Sequence, residues 1–171
     1  RLVNRMELQR ALVFVDGGDA DRVLERLLFH QLPAAGLGGK ARKEERRQAL
    51  EDFKNGKVRL LVATDLAARG LDIPDISHVI NLSVPESPEV YLHRAGRTGR
   101  AGKDGVVVSI ATAGELVRLM ELAKKLKIEL QPPKRPSGKS NPGAKRNGKP
   151  TDKPATPKKT KTSSGGERRR S

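Results

Sequence analysis

VRLLVATDLAARGLDIP, residues 58–74, is the stretch on which the fold turns. Its first six residues are apolar apart from Arg59, and they run directly into a loop holding two aspartates, an arginine and a glycine. A short, continuous apolar run suggests a strand buried on both faces, because a strand with one wet face alternates apolar and polar residues. The same pattern recurs outward along the chain, in ALVFV (11–15), AAGLG (34–38), HVINL (78–82) and GVVVSIA (105–111). Between these runs, Asp19 to Gln31 places Val23, Leu24, Leu27 and Leu28 at helical spacing. Lys43 to Asn55 does the same with Ala49, Leu50 and Phe53. Alternation of this kind predicts an α/β fold, a parallel sheet of five or six strands with helices on both faces.

In such folds functional groups gather on the loops leaving the carboxyl ends of the strands. TDLAARGLDIP (64–74) follows one predicted strand and SVPESPEVYLHRAGRTGR (83–100) follows another, so both are expected at one rim. The second contains HRAGRTGR (93–100), three arginines and a histidine with two glycines between them. If this segment is helical, His93, Arg97 and Arg100 fall at i, i+4 and i+7 and project from one face. Like charges on one face destabilise a helix, and each glycine costs roughly 1 kcal/mol against alanine, so the segment is suited to meeting an anion. The competing reading is a solvated basic face that Gly99 ends as a C-terminal cap.

Composition bounds the remaining choices. The 171 residues have room for one domain of ordinary size, and the absence of cysteine excludes disulfides and thiolate metal sites. No apolar run is long enough to cross a bilayer as a helix, so no membrane partner is expected, and a reducing, cytoplasmic setting fits. The chain has no starting Met. It reads as beginning inside a longer protein, with residues 1–10 (RLVNRMELQR) as the remnant of a linker or preceding helix. The net charge of +15 is uneven: residues 132–171 hold 13 Lys and Arg against 2 Asp and Glu, whereas residues 1–131 hold 22 against 18. That tail has seven of the eleven prolines and neither aromatic nor large aliphatic residues. With nothing to bury it is expected to be disordered, and to hold a polyanion by charge alone. The organisation is therefore a domain over 11–131 and a disordered Lys/Arg/Pro-rich tail over 132–171.

VATDLAARGLDIPDISHVINLSVPESPEVYLHRAGRTGRAGKDG (62–105) resembles motifs V and VI of the DEAD-box RNA helicases in their usual order and spacing. ALVFVDG (11–17) is similar to motif IV, and KEERRQALEDFKNG (43–56) to the segment after it, where an arginine stands seven residues before a phenylalanine, here Arg46 and Phe53. The resemblance implies the C-terminal, second RecA-like domain of an ATP-dependent RNA helicase. Such a domain closes on an N-terminal RecA-like domain of the same protein around ATP and single-stranded RNA. It implies that Arg97 and Arg100 reach the γ-phosphate, Arg100 as the arginine finger, and that His93 links the ATP site to the first domain. Gly70 and Asp72 would approach the nucleotide. Arg46, Thr64, Arg69 and the amide of Gly17 would contact RNA phosphates, reading no sequence. For Arg46 an exposed pair with Glu44 or Glu45 competes with that role.

Several positions depart from the family. Asp16 and Gly17 stand where motif IV usually ends in a hydroxyl residue, Lys43 where glutamine is common, and Gly38 and Gly39 where a His-Gly pair is common. The chain has no GxxxxGK[ST] phosphate loop. Alone it is expected to be inactive, with the ligands for the magnesium that accompanies ATP on the missing first domain. The alternatives are an ATP-independent RNA-binding or annealing module and, less suited to the HRAGRTGR wording, a DNA translocase of the same superfamily.

Overall fold

The computed structural model describes residues 8–71, 73, 76–100 and 102–131. The expected linker remnant lies almost wholly outside the described residues, and the expected tail lies outside them entirely. Ten elements follow one another: β1 (Ala11–Phe14), α1 (Ala20–Phe29), β2 (Ala34–Gly36), α2 (Lys43–Lys54), β3 (Leu60–Ala63), α3 (Asp65–Ala68), β4 (His78–Asn81), α4 (Pro88–Ala95), β5 (Val106–Ser109) and α5 (Ala113–Leu126). All five strands are parallel, in the order β2-β3-β1-β4-β5. Each of the five apolar runs contains one strand.

Every residue of β1, β3 and β4 is buried, which is why those runs show no alternation. Alternate side chains instead serve two cores. Val13, Leu60, Val62 and Ile80 pack on one face with Val23, Leu24 and Leu27 of α1. Leu12, Phe14, Leu61, Ala63 and Val79 pack on the other with Ala49 and Phe53 of α2. Phe53 is fully buried, and removing such a ring from water is worth up to about 3 kcal/mol, which fixes α2 on the sheet. Beyond β5, Thr112 and Glu115 cap α5 reciprocally, and Leu119 and Leu122 bury a smaller cluster with Val84.

Candidate functional site

The carboxyl edge of the sheet is lined by the loops after β1, β2, β3 and β4. Thr64 leaves β3 and caps α3, its Oγ1 accepting a hydrogen bond from the Ala67 amide at 3.2 Å. The hydroxyl proton is left to donate elsewhere. Gly38 faces it across the loop after β2: a Cβ there would stand 3.3 Å from Thr64 Cγ2 and 3.2 Å from Ala20 Cβ. Gly39 has φ +66°, and a Cβ would overlap the Asp21 carboxylate. The glycine pair therefore lets this loop lie between α1 and Thr64. Gly17 is exposed after β1, with nothing within 4 Å of where a Cβ would be. Arg46 is exposed in the first turns of α2. Of its two expected competitors, Glu45 is engaged elsewhere, accepting from the Arg42 amide at 2.7 Å and lying 3.5 Å from Arg42 Nε, and Glu44 is exposed in the same turn.

The arginine segment differs from a two-turn helix. Ser87 caps α4, accepting from the Val90 amide, Pro88 opens it, and it ends at Ala95, with the Gly96 amide bonded to Leu92 O at 2.8 Å. His93, Arg97 and Arg100 therefore do not share a helix face. The physical reason lies in the next residues. Thr98 turns inward to donate to Ile76 O at 2.6 Å, and Gly99 takes φ +67°, a left-handed conformation that ends a right-handed helix. The cap falls at Gly96, three residues before the glycine expected to serve.

This turn carries Arg97 to Leu71, whose carbonyl accepts from Nη1 at 2.9 Å, while Arg100 Nε donates to Gly96 O at 2.8 Å. Leu71 and Ile76 belong to the segment that descends from α3 to the amino end of β4. The one-rim expectation is thus corrected. Thr64 is at the carboxyl edge, whereas Arg97 and Thr98 lie along the descent, where the loop still has to turn back into the sheet. Gly70 is exposed on the same descent, with φ +69° and open space where a Cβ would stand, so a ligand has access to its backbone. Arg69 and His93 are exposed. Asp72 lies outside the described residues.

Arg94 is the residue that sequence reasoning missed. It is 3 % exposed, yet every face of its guanidinium is met. Nε and Nη2 donate to the two carboxylate oxygens of Asp65 at 2.8 and 2.6 Å, and Nη1 donates to Ser83 O at 2.8 Å and Asn81 Oδ1 at 3.3 Å. The Phe14 ring lies 5.0 Å from Cζ. Nothing in the spelling of HRAGRTGR separates this arginine from its neighbours. Nearby, Glu89 has its carboxyl held below the ordinary range, first by the Ser87 hydroxyl, and burial pushes the Tyr91 phenol up.

A model of the helicase conserved C-terminal domain matches residues 1–102. Among curated relatives, the DEAD-box ATP-dependent RNA helicase CshC of Bacillus cereus is 44% identical over 129 residues, 75% of this chain and 33% of that protein. The ATP-dependent RNA helicase RhlB of Pseudomonas syringae pv. tomato is 45% identical over 128 residues, 73% of this chain and 32% of that protein. The chain thus spans about a third of the length of these relatives. Its fold is similar to that of the E. coli DEAD-box protein SrmB in complex with regulator of ribonuclease activity A, with TM-score 0.70 and 35% identity over 75% of this chain and 76% of that one. It is also similar to S. cerevisiae Dbp5 bound to RNA and ADP BeF3, with TM-score 0.63 and 30% identity over 72% of this chain and 34% of that one. With the RecA-like parallel sheet, the motif spelling and these matches in agreement, the chain belongs to the helicase conserved C-terminal domain family, in its DEAD-box branch.

Proposed function

We propose that the chain is the second core domain of an ATP-dependent RNA helicase acting in the cytoplasm, and that it supplies the arginine finger and half of the RNA surface. The observation that carries this reading is the bond from Arg97 to Leu71 O, which joins the HRAGRTGR turn to the loop that begins at Thr64. The Arg97 guanidinium and the open backbone of Gly70 flank that loop, and Arg100 follows in the same turn, a donor set suited to a triphosphate. Phosphoryl transfer spreads negative charge over the terminal oxygens, and an arginine delivered across a domain interface lowers the barrier by meeting that charge. Arg100 takes this part, Arg97 and Gly70 bind and orient, and Asp72 is assigned a ribose hydroxyl. His93 faces the first domain.

On the carboxyl edge, the Thr64 hydroxyl, Arg69, Arg46 and the Gly17 amide are assigned to RNA phosphates, contacts that fix register without reading bases. Among the described residues no three metal-ligating side chains stand together, and magnesium falls to the partner domain in this proposal. No helix among them is long and apolar enough to cross a membrane. The neighbour Dbp5, of which this fold matches 34%, is bound to RNA and ADP BeF3, which supports a domain of this shape serving in a protein that takes both ligands.

The test joins this chain to a family first domain carrying the phosphate loop. The isolated chain should hydrolyse no ATP, and the joined protein should do so with RNA stimulation. In the joined protein Arg100→Ala should lower turnover by at least about a hundredfold while ATP binding changes little, the pattern of lost transition-state charge. Equal turnover in mutant and parent would remove the finger from Arg100.

A further inference from the structure

We infer that Arg94 is a positioning residue that couples RNA contact to hydrolysis by fixing, with one guanidinium, three carboxyl-edge loops and the helix that carries the arginine turn. This rests on the functional reading above, and it assigns Arg94 no contact with either ligand.

The geometry is specific. Asp65, gripped through both carboxylate oxygens, follows Thr64 directly, so the pair holds the residue assigned to an RNA phosphate. Ser83 O and Asn81 Oδ1 anchor the end of β4 and the loop that leads to α4. Phe14, under the guanidinium, is the last residue of β1, three residues before Gly17. Arg94 itself sits one residue before the end of α4, and the turn with Arg97 and Arg100 begins at Gly96. A displacement of the Thr64–Asp65 segment on RNA binding is therefore passed to the arginine turn through a planar, bidentate contact that resists rotation. Arg97 closes the circuit from the other side, holding Leu71 at the far end of the same loop.

A residue needed only for folding would also be buried and hydrogen-bonded. Asp65 separates the two cases. Its side chain keeps 41 % of its surface exposed at the edge assigned to RNA, so a contact made there can shift the carboxylate, which a pair sealed in the core would not allow. Lysine cannot reproduce the fork, and asparagine keeps the shape of the acid without its charge, so Arg94→Lys and Asp65→Asn each loosen the same joint from opposite sides.

The experiment uses the joined two-domain protein, with ATP and a single-stranded RNA, at a temperature where every variant is folded. Each single variant should lower RNA-stimulated kcat by about ten- to a hundredfold, the scale on which a small misplacement of a reacting group slows a reaction. The RNA concentration for half-maximal stimulation should rise, and the KM for ATP should change little. The double variant should be no slower than the worse single one, because both substitutions break one joint. Arg100→Ala in parallel tests the functional reading separately: loss there with unchanged kcat in Asp65→Asn overturns the coupling and leaves the finger standing. Variants that lose only melting temperature, with kinetics intact, would make the pair structural and overturn the inference. So would additive losses in the double variant, or failure of Asp65→Asn to fold.

Discussion

Gly105→Ala should disturb the arginine turn from a position outside it. Gly105 precedes β5, and a Cβ built on it would overlap the Gly99 amide nitrogen and stand 2.6 Å from Thr98 Oγ1 and 2.8 Å from Gly99 Cα. Two of these are backbone atoms, so no rotamer change relieves the overlap. Ordinary carbon contacts begin near 3.5 Å, so either the start of β5 or the Thr98–Gly99 turn must move by about 1 Å. Overpacking of this kind costs about 1–3 kcal/mol, and at about 4 °C per kcal/mol in a domain of this size the melting temperature should fall by roughly 4–12 °C. Since the moved segment lies between Arg97 and Arg100, turnover in the joined protein should fall by up to about a hundredfold, the loss expected of a 1 Å misplacement. The control is Gly114→Ala in the first turn of α5, where a Cβ meets nothing within 4 Å. That substitution should leave turnover alone and stabilise the helix slightly, because alanine loses less backbone freedom on folding. Thermal unfolding of the chain and steady-state hydrolysis by the joined protein measure both effects. A Gly105→Ala protein that melts with the parent and turns over at its rate would refute the reasoning that this turn is packed against β5.

Two further outcomes are expected. Burial holds the His78 imidazole below its ordinary value of 6.5, so the folded chain resists a proton that the unfolded chain accepts. Stability should therefore be full above about pH 6.5 and decline as the pH falls below it, and His78→Asn should flatten that decline in melting curves taken across the range. Deleting residues 132–171, which hold 13 Lys and Arg against 2 Asp and Glu, should weaken binding to unrelated RNAs alike. If the tail neutralises about five phosphates, its removal should take away a salt slope of about −0.7 for each, whereas parallel salt slopes for full and truncated chains would rule out a charge tether.

The sheet was legible because its central strands β3, β1 and β4 are buried on both faces, and continuous apolar runs have few other readings; the edge strands β2 and β5 share the apolar spelling but are only partly covered. The carboxyl end of α4 was harder. Ser87, Pro88 and Glu89 spell a helix start in plain chemistry, a capping hydroxyl followed by a proline at the first helical position. Its end depends on Thr98 finding a buried carbonyl at Ile76, a contact that local spacing cannot express. The loops that hold the candidate site could be named from their residue types, but the division between carboxyl edge and descending segment could not, since it follows from where the chain re-enters the sheet. Arg94 shows the limit most clearly. Arginine is seldom fully buried unless paired, and its partner Asp65 stands 29 residues earlier on another element. Burial here is a property of the pair, visible only once both helices are in place.

The strand order also sets a schedule for synthesis. Ala11 of β1 pairs with Leu60 of β3 on one side and with His78 of β4 on the other, and no strand has a hairpin partner next to it in sequence. The earliest strand of this sheet to leave the ribosome is its centre, and it has no neighbour until β3, at Leu60–Ala63, has followed β2 and two helices. Pairing between such distant segments is slow, because loop closure must precede any gain from contact. ALVF, which ends up with all four residues buried, therefore spends the longest time uncovered during synthesis. Competition for that one segment, by chaperones or by other nascent chains, should decide how much of the protein reaches its folded form.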